Sequence, residues 1–199
     1  MGDEATGEAL VIDAGQEPGP LLERLRDERW HVVAVLATHA HFDHIGGAAA
    51  VQAETGATLY APAAEIAWLT DPLRNLSAPL EKAGIAAVRL DDVRAEGITG
   101  GREFHVGNGV VRALATPGHT PGGLSFQVPD LGRTGAVFTG DSLFAGTIGR
   151  TDLPGGDAAE LLASIRRELL ALPGETTVLP GHGRATTVEE ERMLNPFLA

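Results

Sequence analysis

The chain has 199 residues, 43% of them hydrophobic, with a mean hydropathy of +0.02 and a formal charge of −12. That length suits a single domain over 1–199 with a substantial core, and the composition excludes both a disordered chain and a membrane-embedded one. The acidic balance argues against a nucleic-acid partner, which needs Lys and Arg to displace counterions from phosphates, and the absence of cysteine rules out disulfides, thiolate nucleophiles and Cys-ligated zinc.

The acidic start MGDEATGEAL carries no secretory apolar stretch, and the longest apolar run, around HVVAVLATHA, is too short to span a bilayer. A cytoplasmic protein with no membrane partner is expected. ALVIDAG (9–15) predicts a short buried strand ended by a glycine turn, and PGPLLERLRDERW (18–30) an amphipathic helix with Leu21, Leu22 and Leu25 on one face. HVVAVLAT (31–38), β-branched and apolar, predicts a core strand that delivers THAHFDH at its C-terminal end. IGGAAAVQAETG (45–56) predicts a helix stopped by Gly56. The strand ATLYA and the helix PAAEIAWL follow; residues 71–86 show no period and predict a flexible loop, of which 71–80 is a candidate cover for a cleft. From 87 to 128 the texture predicts the strands AVRL, REFHV, GVVRALAT and LSFQV, and GAVFTGD (135–141) predicts another. Residues 157–171 predict a helix with Asp157 as N-cap, TTVLPGHG (176–183) a last strand tipped by His182, and TTVEEERMLNPFL a closing helix.

Three of the seven histidines fall within residues 39–44. On extended backbone His39 and His41, spaced i and i+2, project to one side and can chelate one ion. Asp43 and His44 follow where the strand gives way to a helix, so they point elsewhere and could hold a second ion. His119 sits in the Pro/Gly turn TPGHTPGG, Asp141 in FTGDSLF past a core strand, and a carboxylate can bridge two cations with its two oxygens. Taken singly, His119 and His182 read as turn histidines and Asp141 as a turn-former. Their shared position beside glycines at strand ends favours a metal site. His31 and His105 lack such context and are assigned structural roles.

His39-x-His41-x-Asp43-His44, followed in order by His119, Asp141 and His182, resembles the metallo-β-lactamase superfamily over nearly the whole chain. The resemblance implies an α/β fold, an αββα sandwich with a two-metal site at one edge of the two sheets. It also implies His39, His41 and His119 on the first metal, Asp43, His44 and His182 on the second, and Asp141 bridging. β-Lactamases of the three-histidine zinc class commonly use a cysteine and lack an acidic bridge, unlike this chain; ribonuclease-type members carry a second domain. FTGDSLFAGTIGRTDLPGGD and LPGHGRATTVEEERMLNPFL are similar to the small glyoxalase-II-like hydrolases. Two departures stand out. The C-terminal helical region that grips glutathione in full-length glyoxalase II has no counterpart before Ala199, and the family usually has a strand ahead of ALVIDAG. An unpaired edge there would invite dimerisation, so both monomer and homodimer are open.

That family likeness implies hydrolysis of a small-molecule thioester, such as S-lactoylglutathione, by a hydroxide bridging two divalent ions. Zinc is expected first, with iron or manganese compatible with the same donors. Asp43 would be the catalytic group orienting the nucleophile. Asp13 and Thr38 are candidates for orienting ligand histidines from behind, and Arg150 for pairing a substrate carboxylate, with a structural salt bridge as its plainer role. Two alternatives remain. GRTD (149–152) and TVEEERMLNP also resemble persulfide dioxygenases of the same superfamily, which bind one iron through the counterparts of His39, His119 and Asp141. A metal-binding scaffold without catalysis is the other.

Overall fold

The computed structural model describes residues 1–198. It contains two compact units, one of Met1–Ile98 with Val106–Asn108, the other of Thr99–His105 with the chain from Gly109 onward. Among the described residues no helix is long and apolar enough to cross a membrane.

The first unit runs β1 (Gly2–Asp3), β2 (Glu8–Ile12), α1 (Gly19–Asp27), β3 (His31–Leu36), α2 (Phe42–Ile45), α3 (Ala48–Thr55), β4 (Leu59–Pro62), a 3₁₀ turn (Ala63–Trp68), α4 (Ala78–Lys82) and β5 (Ala95–Ile98). Its sheet has the order β1-β2-β3-β4-β5, parallel from β2 to β5, with β1 antiparallel at the edge. Parallel strands covered on both faces need continuous apolar runs rather than alternation, and β3 supplies one, buried at Val32, Ala34, Val35 and Leu36. Val35, Leu59, Ile45, Val51 and Trp68 share the core, with Leu21 and Leu22 of α1 packed against it. Pro20 opens α1, where its missing N–H costs nothing. Gly56 ends α3 at φ +73°, as the sequence predicts.

Four expectations for this unit fail, three of them for a polar reason. The edge before ALVIDAG is paired: Gly2 and Asp3 register with Ala9 and Glu8, and Leu10 N–H donates to the Met1 carbonyl at 2.7 Å. The Asp3 carboxylate accepts the Ala5 amide and its carbonyl the Gly7 amide, which folds the start back as a hairpin too short to show alternation. Segment 71–86 is no loose loop either. Fully buried Asn75 donates to the carbonyls of Trp68 and Val88 at 3.1 and 2.9 Å and accepts from Ser77, and α4 follows. AVRL (87–90) therefore forms no strand, because Val88 gives its N–H to Ser77 Oγ and its carbonyl to Asn75; the strand falls at β5 instead. PAAEIAWL forms a 3₁₀ turn rather than an α-helix.

The second unit runs β6 (Glu103–Val106, whose last residue groups with the first unit), β7 (Gly109–Ala115), β8 (Leu124–Val128), β9 (Ala136–Gly140), β10 (Leu143–Phe144), β11 (Thr147–Ile148), α5 (Ala158–Ser164) continuing as a π-helical turn (Ile165–Leu169), β12 (Thr177–Pro180), β13 (Thr186–Thr187) and α6 (Val188–Leu194). The sheet order is β13-β12-β9-β8-β7-β6, and β10 and β11 form a hairpin of their own. β8 is antiparallel to both β7 and β9, but β9 and β12 are parallel, joined through α5. Asp157 caps α5 by accepting the Glu160 amide at 3.0 Å, as expected. Leu161, Ile165 and Leu169 then pack on Val137 and Val178.

Both units use one device for placing polar groups. Adjacent parallel strands finish at the same end, so the residues that follow them emerge side by side. In the first unit these are Asp13 after β2 and Thr38 after β3; in the second, Asp141 after β9 and His182 after β12, with Gly181 N–H on the Gly140 carbonyl.

Candidate metal centre

In the first unit His39, His41, Asp43 and His44 come together between β3 and α2. The His39 ring lies 4.6 Å from that of His41, edge-on, and 4.1 Å from that of His44. A ring nitrogen of His39 is within 4.8 Å of one on His41 and of one on His44. All three imidazoles are buried, whereas Asp43 is a third exposed. Asp13 supports the group from behind. Its Oδ1 accepts the Thr38 amide at 2.8 Å, and its Oδ2 takes both the Thr38 hydroxyl and His44 Nδ1, each at 2.8 Å. Asp13 holds this position at φ +51°, a left-handed conformation that Asp tolerates better than most residues.

These bonds fix tautomers. A carboxylate only accepts, so His44 Nδ1 carries a proton. The Thr38 hydroxyl gives its hydrogen to Asp13, so it accepts from His39 Nδ1, 3.0 Å away. In both rings Nε2 then keeps the lone pair that a cation requires.

The second unit gathers His119, Asp141 and His182. His119 Nδ1–H donates to the Arg150 carbonyl at 2.7 Å, again leaving the lone pair on Nε2. Its turn is stiff: Gly118, at φ +129°, lies so close to the backbone of Leu161 that a Cβ would overlap it, and its carbonyl accepts the Asp157 amide. Asp141 divides its carboxylate, with Oδ2 3.7 Å from His119 Nε2 and Oδ1 3.8 Å from His182 Nε2. In the first unit His44 Nε2 and Asp43 Oδ2 are likewise 3.7 Å apart. These gaps are too long for hydrogen bonds. Two donors bound to one tetrahedral ion at about 2.0–2.2 Å stand roughly 3.3–3.6 Å apart, so the gaps are within a few tenths of an ångström of what a shared cation requires. A donor set of imidazole nitrogen and carboxylate oxygen without sulfur accepts zinc, iron or manganese.

Thr38 lies beside His39 Nδ1 and Asp13 beside His44 Nδ1. Arg150 differs from expectation in the way it contributes. Its guanidinium holds Asp152 at 2.7 and 2.8 Å, keeping that carboxyl at about 2, while its carbonyl positions His119. A substrate carboxylate would have to compete with Asp152. The sequence reading missed Glu65, fully buried, whose Oε2 accepts the Ala40 amide at 2.8 Å, and Trp68, whose ring stacks on His41 at 6.3 Å. A lone acid within apolar PAAEIAWL was the available signal.

The family model for the metallo-beta-lactamase superfamily matches residues 4–182, which include every one of these groups. The chain belongs to that superfamily. Among curated relatives, "Probable metallo-hydrolase YqgX" of Bacillus subtilis is 39% identical over 96% of this chain and 87% of its own length. "Hydroxyacylglutathione hydrolase GloC" of Haemophilus influenzae is 34% identical over the same shares. Among solved structures, BLEG-1, described as a B3 metallo-beta-lactamase, is 36% identical with a TM-score of 0.90, covering 100% of this chain and 92% of its own. TTHA1623, in a di-iron-bound form, is 36% identical with a TM-score of 0.79 over 94% and 88%. ETHE1 from Myxococcus xanthus is 32% identical with a TM-score of 0.75 over 98% and 76%. The protein has the metallo-beta-lactamase fold, mixed α/β with two sheets, and is a metallo-hydrolase of the superfamily with histidine and aspartate as its metal-binding types.

Proposed function

We propose that this protein is a dinuclear metal hydrolase of thioesters, with S-lactoylglutathione as the type substrate. The observation that carries the reading is the division of Asp141: one oxygen faces His119 and the other His182, the disposition a bridging carboxylate requires. His39, His41 and His119 are assigned to one cation, Asp43, His44 and His182 to the other, and Asp141 to both. Likeness to GloC supports the substrate class, and likeness to TTHA1623 supports a pair of ions.

Divalent cations bound here would supply an acidified water and a Lewis acid for the carbonyl. The chain's own work is binding and orientation. Asp13 and the Arg150 carbonyl hold protons on His44 and His119 at Nδ1, so Nε2 is the atom that would hold a cation; Thr38 does the same for His39. Asp43, the exposed member of the first set, has a second oxygen to orient the attacking water. The leaving thiol, with a pKa of about 8.5, departs as thiolate without a strong general acid.

Release of D-lactate from S-lactoylglutathione, lost with EDTA and restored by zinc, iron or manganese, is the test, with metal analysis of protein purified without added metal. Likeness to ETHE1 supports a second reading, the mono-iron dioxygenase. Oxygen uptake with glutathione persulfide, sulfite as product and one iron per chain would decide for it. A cephalosporin belongs in the same assay because of the likeness to BLEG-1. Metal uptake with no turnover of any of these substrates would leave a scaffold.

A further inference from the structure

The first unit holds a buried carboxylate that the reaction does not use. Two glutamates are almost wholly enclosed, Glu65 and Glu191. Burying a carboxylate is costly unless donors meet it, and for Glu191 those donors tie secondary structure together: Thr186 Oγ1, Gly146 N–H and Asn195 Nδ2, all within 2.9 Å. Glu65 accepts from a different kind of place. Among its donors is the amide of Ala40, the residue between His39 and His41.

Other parts of the same segment meet the same loop. Trp68, one 3₁₀ turn beyond Glu65, lies on the His41 ring at an interplanar angle of 24°. The Asn75 carbonyl accepts the Phe42 amide at 2.9 Å, and the Asn75 side chain is itself fixed by Trp68 and Val88. Residues 65–75 therefore touch the loop at Ala40, His41 and Phe42, while Asp13 reaches it at Thr38 and His44. His39 and His41 flank the amide that Glu65 holds, and rotating that peptide swings both imidazoles.

We infer that Glu65 is a positioning residue for the metal ligands: by accepting the Ala40 amide, its carboxylate sets the mutual orientation of His39 and His41 and thereby the affinity of the ion they grip. The inference rests on the metal assignment in the proposed function but not on the substrate. What matters is an acceptor at that depth, so Gln serves where Ala and Asp do not: Ala has no acceptor, and Asp withdraws it by one methylene.

The experiment is a set of zinc and cobalt titrations of the full chain as wild type, Glu65→Ala, Glu65→Asp and Glu65→Gln, with the cobalt ligand-field spectrum recorded for each. Loss of such an outer support weakens metal binding about 10–100-fold. Glu65→Ala and Glu65→Asp are expected to lose affinity in that range with a shifted cobalt spectrum, and Glu65→Gln to return to within about threefold of wild type with the wild-type spectrum. Melting of the metal-free proteins identifies a variant that does not fold; if Glu65→Ala is one, the Asp and Gln pair carries the comparison. Wild-type affinity in Glu65→Asp, or a Gln variant as weak as the Asp one, would overturn the inference. Absence of thioester turnover by the wild type, with these affinities ordered as expected, would sink the substrate assignment alone.

Discussion

The two groups of candidate metal donors, one in each unit, are built differently. In the first unit four donors arrive within residues 39–44, on one loop held mainly by the side chains of Asp13 and Glu65, with the Asn75 carbonyl on the Phe42 amide. In the second unit three donors come from three separate loops, and their supports are main-chain: the Arg150 carbonyl for His119, the Gly140–Gly181 bond beside His182. Exposure does not follow this division, since each unit has a buried histidine and a more open donor: the His119 side chain is 6% exposed and that of Asp43 34%. The His44 side chain is 3% exposed and that of His182 56%. A dense cluster needs side chains to orient it, because one loop cannot aim four groups by backbone alone, whereas dispersed donors inherit their aim from the ends of strands. Substitutions behind the ligands should therefore hurt the first half, and changes of backbone the second.

The largest effect expected is from Asp141→Ala, the hub of the second half: thioesterase activity falls about 1,000-fold or more, and metal analysis finds fewer than two ions per chain. Retention of activity within tenfold would break the bridging assignment. Gly118→Ala tests the backbone route without touching a donor. The Cβ at φ +129° against Leu161 should cost about 2–4 kcal/mol in denaturant unfolding, with activity lost alongside. Asp13→Ala tests the side-chain route. Thr38, His39 and His44 lose their common support, and metal affinity drops about 10–100-fold while secondary structure by circular dichroism is kept. Equal tolerance of Asp13→Ala and Gly118→Ala would erase the contrast between the halves.

Arg150→Ala should change turnover by less than about threefold, since the carbonyl that holds His119 remains; a rise in KM tenfold or greater would restore it to substrate binding. The smallest effect concerns Asp152, which the Arg150 guanidinium holds at about 2, below the ordinary carboxylate value of 3.8. A depressed carboxyl stabilises above its unfolded value and loses that contribution as pH falls towards 2. The melting-temperature difference between wild type and Asp152→Asn should be small and constant above pH 5 and close up between pH 4 and 2, roughly the interval between the two values.

Sequence made part of this contrast visible. The first half was legible because its donors crowd behind an apolar strand, and the second because Asp141 and His182 each follow one. What the sequence does not display is the parallel pairing of β9 with β12, which alone explains why residues 41 positions apart emerge together. The misread segment, 71–90, is organised by Asn75 and Ser77 bonding to backbone, and hydrophobic periodicity is blind to such bonds. Glu65 escaped for the same reason: it is a lone acid in an apolar stretch, but its bond to the Ala40 amide is one that periodicity does not show.

Asp13 Oδ2 receives two donors at once, the Thr38 hydroxyl that leads to His39 and the ring of His44, and those histidines are assigned to different cations. A single oxygen thus stands in the electronic path of both. Polarisation of one branch by an incoming ion weakens what the oxygen offers the other, so the two positions should fill unequally, and a calorimetric titration should resolve two steps rather than one.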